Sequence, residues 1–199
     1  MFKKINLNKE KKSINKQIPE SLIYDYAILK GLQARKSTKY IALAELSIHL
    51  KIVQSDLSIL TFNHRNCETE MEKKFYSRMI SIIIYEYLND INNLLGNKLV
   101  KELTKNNFNE LINEAKTLNK VFSDFQKSHK NLFKHIRNTT GAHKSKNTEF
   151  LLRSVFDIED EKIMNLATDI MIINNKLTRL LTTIYKRVSK FHKENGIIK

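Results

Sequence analysis

The chain has 199 residues, only four glycines and one proline, and no tryptophan. Tight turns and sheets consume glycine and proline, so this composition argues against a sheet-rich fold and for long helices. The formal charge of +14, from 35 Lys+Arg against 21 Asp+Glu, attracts polyanions, with nucleic acid the usual one. A chain rich in Lys, Asn and Ile also fits drift toward AT-rich codons.

A single cysteine, Cys67, rules out an intramolecular disulfide and fits a reducing cytoplasm. The basic start lacks the apolar centre of a signal peptide, and the longest apolar run, Met79–Tyr85, falls far short of the roughly 20 residues a membrane span needs. The expected location is the cytoplasm. Residues 1–17 carry six lysines and little that packs, so they read as a solvated basic arm. One helical domain is expected over 18–193, with a tail over 194–199.

Pro19 suits a first helical turn, and Leu22, Tyr26 and Leu29 continue at helical spacing to about Lys36. Ser37 or Thr38 is placed to cap a second helix, whose wide apolar face runs from Ile41 through Leu46, Leu50 and Leu57 to about Phe62. His49 and His64 lie here without partner spacing and read as surface or satisfied structural histidines. Glu68–Leu95 is expected to be the longest helix, with a dense stripe from Tyr76 through Ile80, Ile84 and Tyr87 to Leu95, and with Gly96 as its C-terminal cap. On the flank of that stripe Phe75, Met79 and Ile82 lead to Glu86. A carboxylate bordered in this way is either exposed at the rim or turned toward a cation, for which Arg137 is a candidate.

Lys98–Thr104 reads as a short helical turn, and Asn107–His135 as a strongly periodic helix. An irregular stretch is expected after Lys146. The acidic run Asp157–Glu161 then suits the N-terminus of a last helix reaching about Phe191. About five helices with short connections predict an all-α, up-and-down antiparallel bundle.

Reactive side chains gather beside a helix breaker at only one stretch, Asn131–Lys146: NLFKHIRNTTGAHKSK. Arg137 and Asn138 are followed by Thr139, Thr140 and Gly141, then by His143. On an unbroken helix the six residues from Arg137 to His143 turn about 600°, which points the two side chains apart. Thr139 and Thr140 are poor helix residues and Gly141 is permissive, so a break at Thr139–Gly141 would let both face one cleft. An arginine fork matches phosphate oxygens, and a histidine moves protons near neutral pH. Together they suit transesterification of RNA, in which the ribose 2′-OH attacks its own phosphate and expels the 5′ oxygen.

The pattern Arg-Asn, four residues, His resembles the motif of the HEPN superfamily, small all-helical bacterial domains that include toxin and abortive-infection members. The resemblance covers mainly the chain from Glu68 onward. It implies a metal-independent endoribonuclease with Arg137, Asn138 and His143 as catalytic residues, working in toxin–antitoxin or phage-defence systems. It also implies a homodimer in which both motifs line one cleft, ringed by Lys134, His135, Lys144 and Lys146 on the RNA backbone, and an antitoxin protein as a further partner. A tyrosine that one toxin branch carries shortly after the histidine is replaced here by Ser145 and Lys146. No cofactor is called for: His129, His135 and His143 lack the spacing of zinc ligands. The competing readings are a non-catalytic helical module that binds RNA or a partner, and a purely structural helical protein.

Overall fold

A computed structural model describes residues 20–37, 39–140 and 147–194. The basic arm, Pro19, Thr38, residues 141–146 with Gly141, His143, Lys144 and Lys146, and residues 195–199 lie outside them. The described residues form helices and their connections, without strands. In order they are α1 (residues 20–34), α2 (Ile41–Arg65), α3 (Glu70–Ile91), a π-helical segment (Asn92–Leu99), α4 (Val100–Lys105), α5 (Asn109–Thr140), α6 (Thr148–Phe156) and α7 (Asp160–Glu194). None of them is long and apolar enough to cross a membrane.

The expected all-α bundle is present, built on α2, α3, α5 and α7. Polar ties across the helices set their directions. Glu86 meets Arg137, and Asn92 meets both Ser123 and Gln126, so α3 and α5 run antiparallel. Glu110 with Arg187, and Phe108 with Phe191, make α5 and α7 antiparallel. Inside lie Leu46, Leu50 and Leu57 of α2, Ile80, Ile84, Tyr87 and Ile91 of α3, Phe122 and Phe133 of α5, and Ile170, Leu177 and Ile184 of α7. Each such side chain contributes about 1.5–3 kcal/mol relative to exposure. These are the residues whose 3.6-residue period marked the helices in the sequence.

Helix starts follow different devices. Thr69 caps α3 in a capping box with Glu72. The acidic run does open a helix, since α7 begins at Asp160; that carboxylate takes Ser77 Oγ at 2.7 Å and Lys74 Nζ at 3.2 Å, tying α3 to α7. For α2 the expected Ser37 cap is not the one used, and Thr38 lies outside the described residues. Tyr40 occupies the N-cap in a left-handed conformation and makes no side-chain cap bond. Instead Glu102 of α4 reaches over, accepting from Ala42 N at 3.0 Å and Leu43 N at 3.1 Å. Burial raises the Glu102 carboxyl above the ordinary carboxylate range, while the helix amides pull it the other way.

Other expectations are corrected. The helix that opens at Glu70 does not end at Gly96. The chain stays helical through the π segment into α4, and a Cβ on Gly96 would meet the Asn119 side chain at 2.7 Å. The glycine thus allows close approach of α5 and does not cap. The longest described helix is α7, with 35 residues. The stretch after Lys146 is not irregular, because Asn147 caps α6 by accepting from Phe150 N. His49 and His64 are neither surface nor satisfied: His64 is buried, His49 tilts against Tyr87, and the Nε2 of each is buried with no partner among the described residues.

Candidate functional site

Arg137 sits on the last turn of α5, where the carbonyl ends of the helix favour a cation. Its helical position borders the buried face made by Phe133, Ile136 and Thr140, which leaves the guanidinium half-buried. Three groups fix it. Its Nε donates to Glu86 Oε1 at 3.0 Å, its Nη1 donates to Asn138 Oδ1 at 3.3 Å, and its carbon lies 5.7 Å from the centre of the Tyr85 ring. The Nη2 nitrogen makes no hydrogen bond to any described residue.

Glu86 therefore takes both roles that the sequence left open. Its side chain is 52% exposed at the rim, and it faces Arg137, whose side chain is 29% exposed. On α3, Met71, Phe75, Met79, Ile82 and Glu86 recur at intervals of three and four residues and share one stripe. Met71 and Phe75 are exposed and Met79 and Ile82 partly so, so apolar surface leads along the helix toward the Glu86–Arg137 pair.

Lys134 and Asn138 are exposed and lie within about 60–100° of Arg137 around α5, on the same side. His135 is exposed too, but it projects about 200° of helical rotation from Arg137, from the opposite flank. The structure thus brings together Arg137, Asn138, Glu86 and the Lys134 side of α5, and leaves His135 apart. His143, Lys144 and Lys146 lie outside the described residues. The break does not begin at Thr139: α5 continues through Thr140, with Thr139 Oγ1 donating to His135 O and Thr140 Oγ1 to Ile136 O, both at 2.8 Å. Threonine hydroxyls turned back on the preceding turn satisfy themselves inside the helix and need no interruption.

Tyr85 is the site residue that sequence reasoning missed. It belongs to neither the core stripe nor the Phe75–Ile82 flank, and its only sequence signal is adjacency to Glu86. Chemically, the cluster is a guanidinium whose direction is set by a carboxylate, an amide and a ring, with one nitrogen, Nη2, unpartnered among the described residues and able to meet an anion. No group of three or more His, Cys, Asp or Glu side chains suited to a metal occurs among the described residues. No protein-family model matches the chain, and no curated protein or solved structure does.

Proposed function

We propose that the chain is a metal-independent endoribonuclease that cuts RNA by 2′-OH transesterification, with Arg137, Asn138 and His143 as its reacting constellation. The observation that carries this reading is Arg137, held by Glu86, Asn138 and Tyr85 with Nη2 unpartnered among the described residues, three residues before the end of α5 and six before His143 in sequence. In this reading the Nη2 edge of the guanidinium stabilises charge on the phosphorane, Asn138 orients the phosphate or the imidazole, and His143 moves the proton. Glu86 is a positioning residue that acts through Arg137. Lys134, on the Arg137 side of α5, extends the contact with the RNA backbone, as the charge of +14 favours. Lys144 and Lys146 belong to the same basic run; His135, on the far flank, takes no part in a single-chain version of this edge.

A homodimer fits the same face. The Met71–Phe75–Met79–Ile82 strip ends at the site, and a second copy laid on it would bring two motifs to one cleft while burying exposed apolar area. An antitoxin-like protein is a further partner that this reading anticipates.

The test is cleavage of a mixed RNA substrate in EDTA by the wild type, Arg137→Ala and His143→Ala. Both variants should stay folded, with melting temperatures within a few degrees of the wild type, and lose about a hundredfold or more in rate, as expected on removing a proton-moving group or a preorganised charge. A wild type that does not cut, or a His143→Ala variant that cuts as fast, ends the enzyme reading. Salt-dependent binding without cleavage then selects a helical RNA-binding module.

A further inference from the structure

A second cleft lies remote from Arg137. It encloses about 840 Å³ between α1, α2 and α7. Ile28 and Leu32 of α1, Leu43 and Leu50 of α2, and Leu181 and Val188 of α7 line its walls. Its floor carries the most buried carboxylate among the described residues, Asp25, at 3% exposure. Asp25 accepts from Ser47 Oγ and pairs with Lys51 Nζ at 2.7 Å, and Lys51 also donates to Ser21 O. A buried ion pair contributes little net stability, but losing one partner is costly, so this pair fixes how α1 docks on α2. It also neutralises the only acid that lines the cleft among the described residues.

Two further cations line the same cleft. Arg35 stands just past the end of α1, and Lys186 follows Tyr185 on α7. Both are exposed, and neither side chain has an ion-pair partner among the described residues. Counting Arg35, Lys51 and Lys186 against Asp25, the lining carries three positive charges and one negative, a net +2. The Tyr185 hydroxyl is buried beside Ser47 without a hydrogen bond of good geometry. Burial, and then the nearby Asp25 charge, push this phenol up to about 12, so it stays a neutral donor.

Apolar walls under unpaired cations suit a molecule with a hydrocarbon body and one anionic head. The geometry points to this cleft as a binding site for an anionic single-chain amphiphile of the fatty-acid class, its chain along Ile28, Leu43 and Leu181 and its carboxylate at Arg35 and Lys186. Its size is adequate, since drug-sized ligands occupy clefts of roughly 300–1,000 Å³. A nucleotide suits the cleft less well, because most of the lining surface is apolar and no glycine-rich phosphate cradle is present among the described residues. This inference does not depend on the nuclease reading, because none of its residues belongs to that site.

The experiment is titration of the full chain with palmitate, followed by calorimetry and by native mass spectrometry, with cetyl alcohol as the uncharged control. The wild type should bind one palmitate, and cetyl alcohol should bind about tenfold or more weaker. The exposed double variant Arg35→Ala/Lys186→Ala should keep the wild-type melting temperature and bind palmitate at least about tenfold weaker. Ile28→Trp, which fills the cleft, should abolish binding, and its added indole reports folding in a chain that has no tryptophan. Absence of one-to-one palmitate binding overturns the proposal. So does cetyl alcohol binding as tightly as palmitate, or undiminished binding by the double variant or by a folded Ile28→Trp protein.

Discussion

Glu86 illustrates what one side chain can be expected to do and what it cannot. Its ion pair with Arg137 is half in solvent, and such pairs contribute about 1 kcal/mol or less. Its consequence is directional: it removes the freedom of the guanidinium to swing, together with Asn138 and the Tyr85 ring. Glu86→Gln should therefore shift the melting temperature by only a few degrees. If Arg137 acts on RNA, the same variant should lower kcat by about tenfold with little change in KM, because a positioning group acts at the transition state and not on initial binding. Single-turnover cleavage beside a thermal melt checks both halves. A fall in stability with no change in kcat would make the pair a strut between α3 and α5 and nothing more. This pairing was within reach of the sequence, since the Phe75–Ile82 flank pointed to Glu86. Tyr85 was not, because no spacing rule marks a ring that contacts a cation 52 residues later.

At the scale of elements, the sequence revealed helices whose period coincides with burial and misjudged those whose period does not. The faces of α2, α3, α5 and α7 were legible because Leu46, Ile84, Phe122 and Ile170 recur with their neighbours on one side. The short helix α6 was not, because Phe150, Leu152 and Phe156 remain exposed and obey no inward stripe. Gly96 was read as a stop, because a glycine that admits a neighbouring helix looks the same in sequence as one that ends its own. The start of α2 was misread for a related reason. Ser37 has the chemistry of a cap, but its hydroxyl engages Lys39, while the amides of Ala42 and Leu43 are held by Glu102, about 60 residues later. Glu102→Ala should leave both buried amides without an acceptor and cost about 2–3 kcal/mol in a urea melt. Glu102→Gln, which retains one carbonyl oxygen, should cost less. Equal stability of Glu102→Ala and wild type would show that solvent or another group can replace the carboxylate.

The whole molecule sums these terms into a dependence of stability on pH, to which its two buried histidine nitrogens contribute near neutrality. Desolvation lowers His49 and His64 below the ordinary histidine value, although Asp90 and Asp160 respectively pull them back. In the unfolded chain both titrate near 6.5. Between that value and the lower folded one, the unfolded chain binds more protons, so acid favours unfolding. Their contribution is fully present above about pH 6.5 and is lost as pH falls through the folded values. Glu102 and Asp56 work in the opposite sense, because burial raises both; protonating them on acidification favours the folded chain. The net slope is therefore a contest, and the histidine share is isolated by comparison with His49→Gln/His64→Gln. The wild type should lose stability relative to this double variant between about pH 7 and pH 5 when urea midpoints are compared at each pH. Parallel curves for the two proteins would mean that the imidazoles reach protons in the folded state as readily as in the unfolded one. That would contradict the burial of their Nε2 atoms on α2, the helix that packs against both α3 and α7.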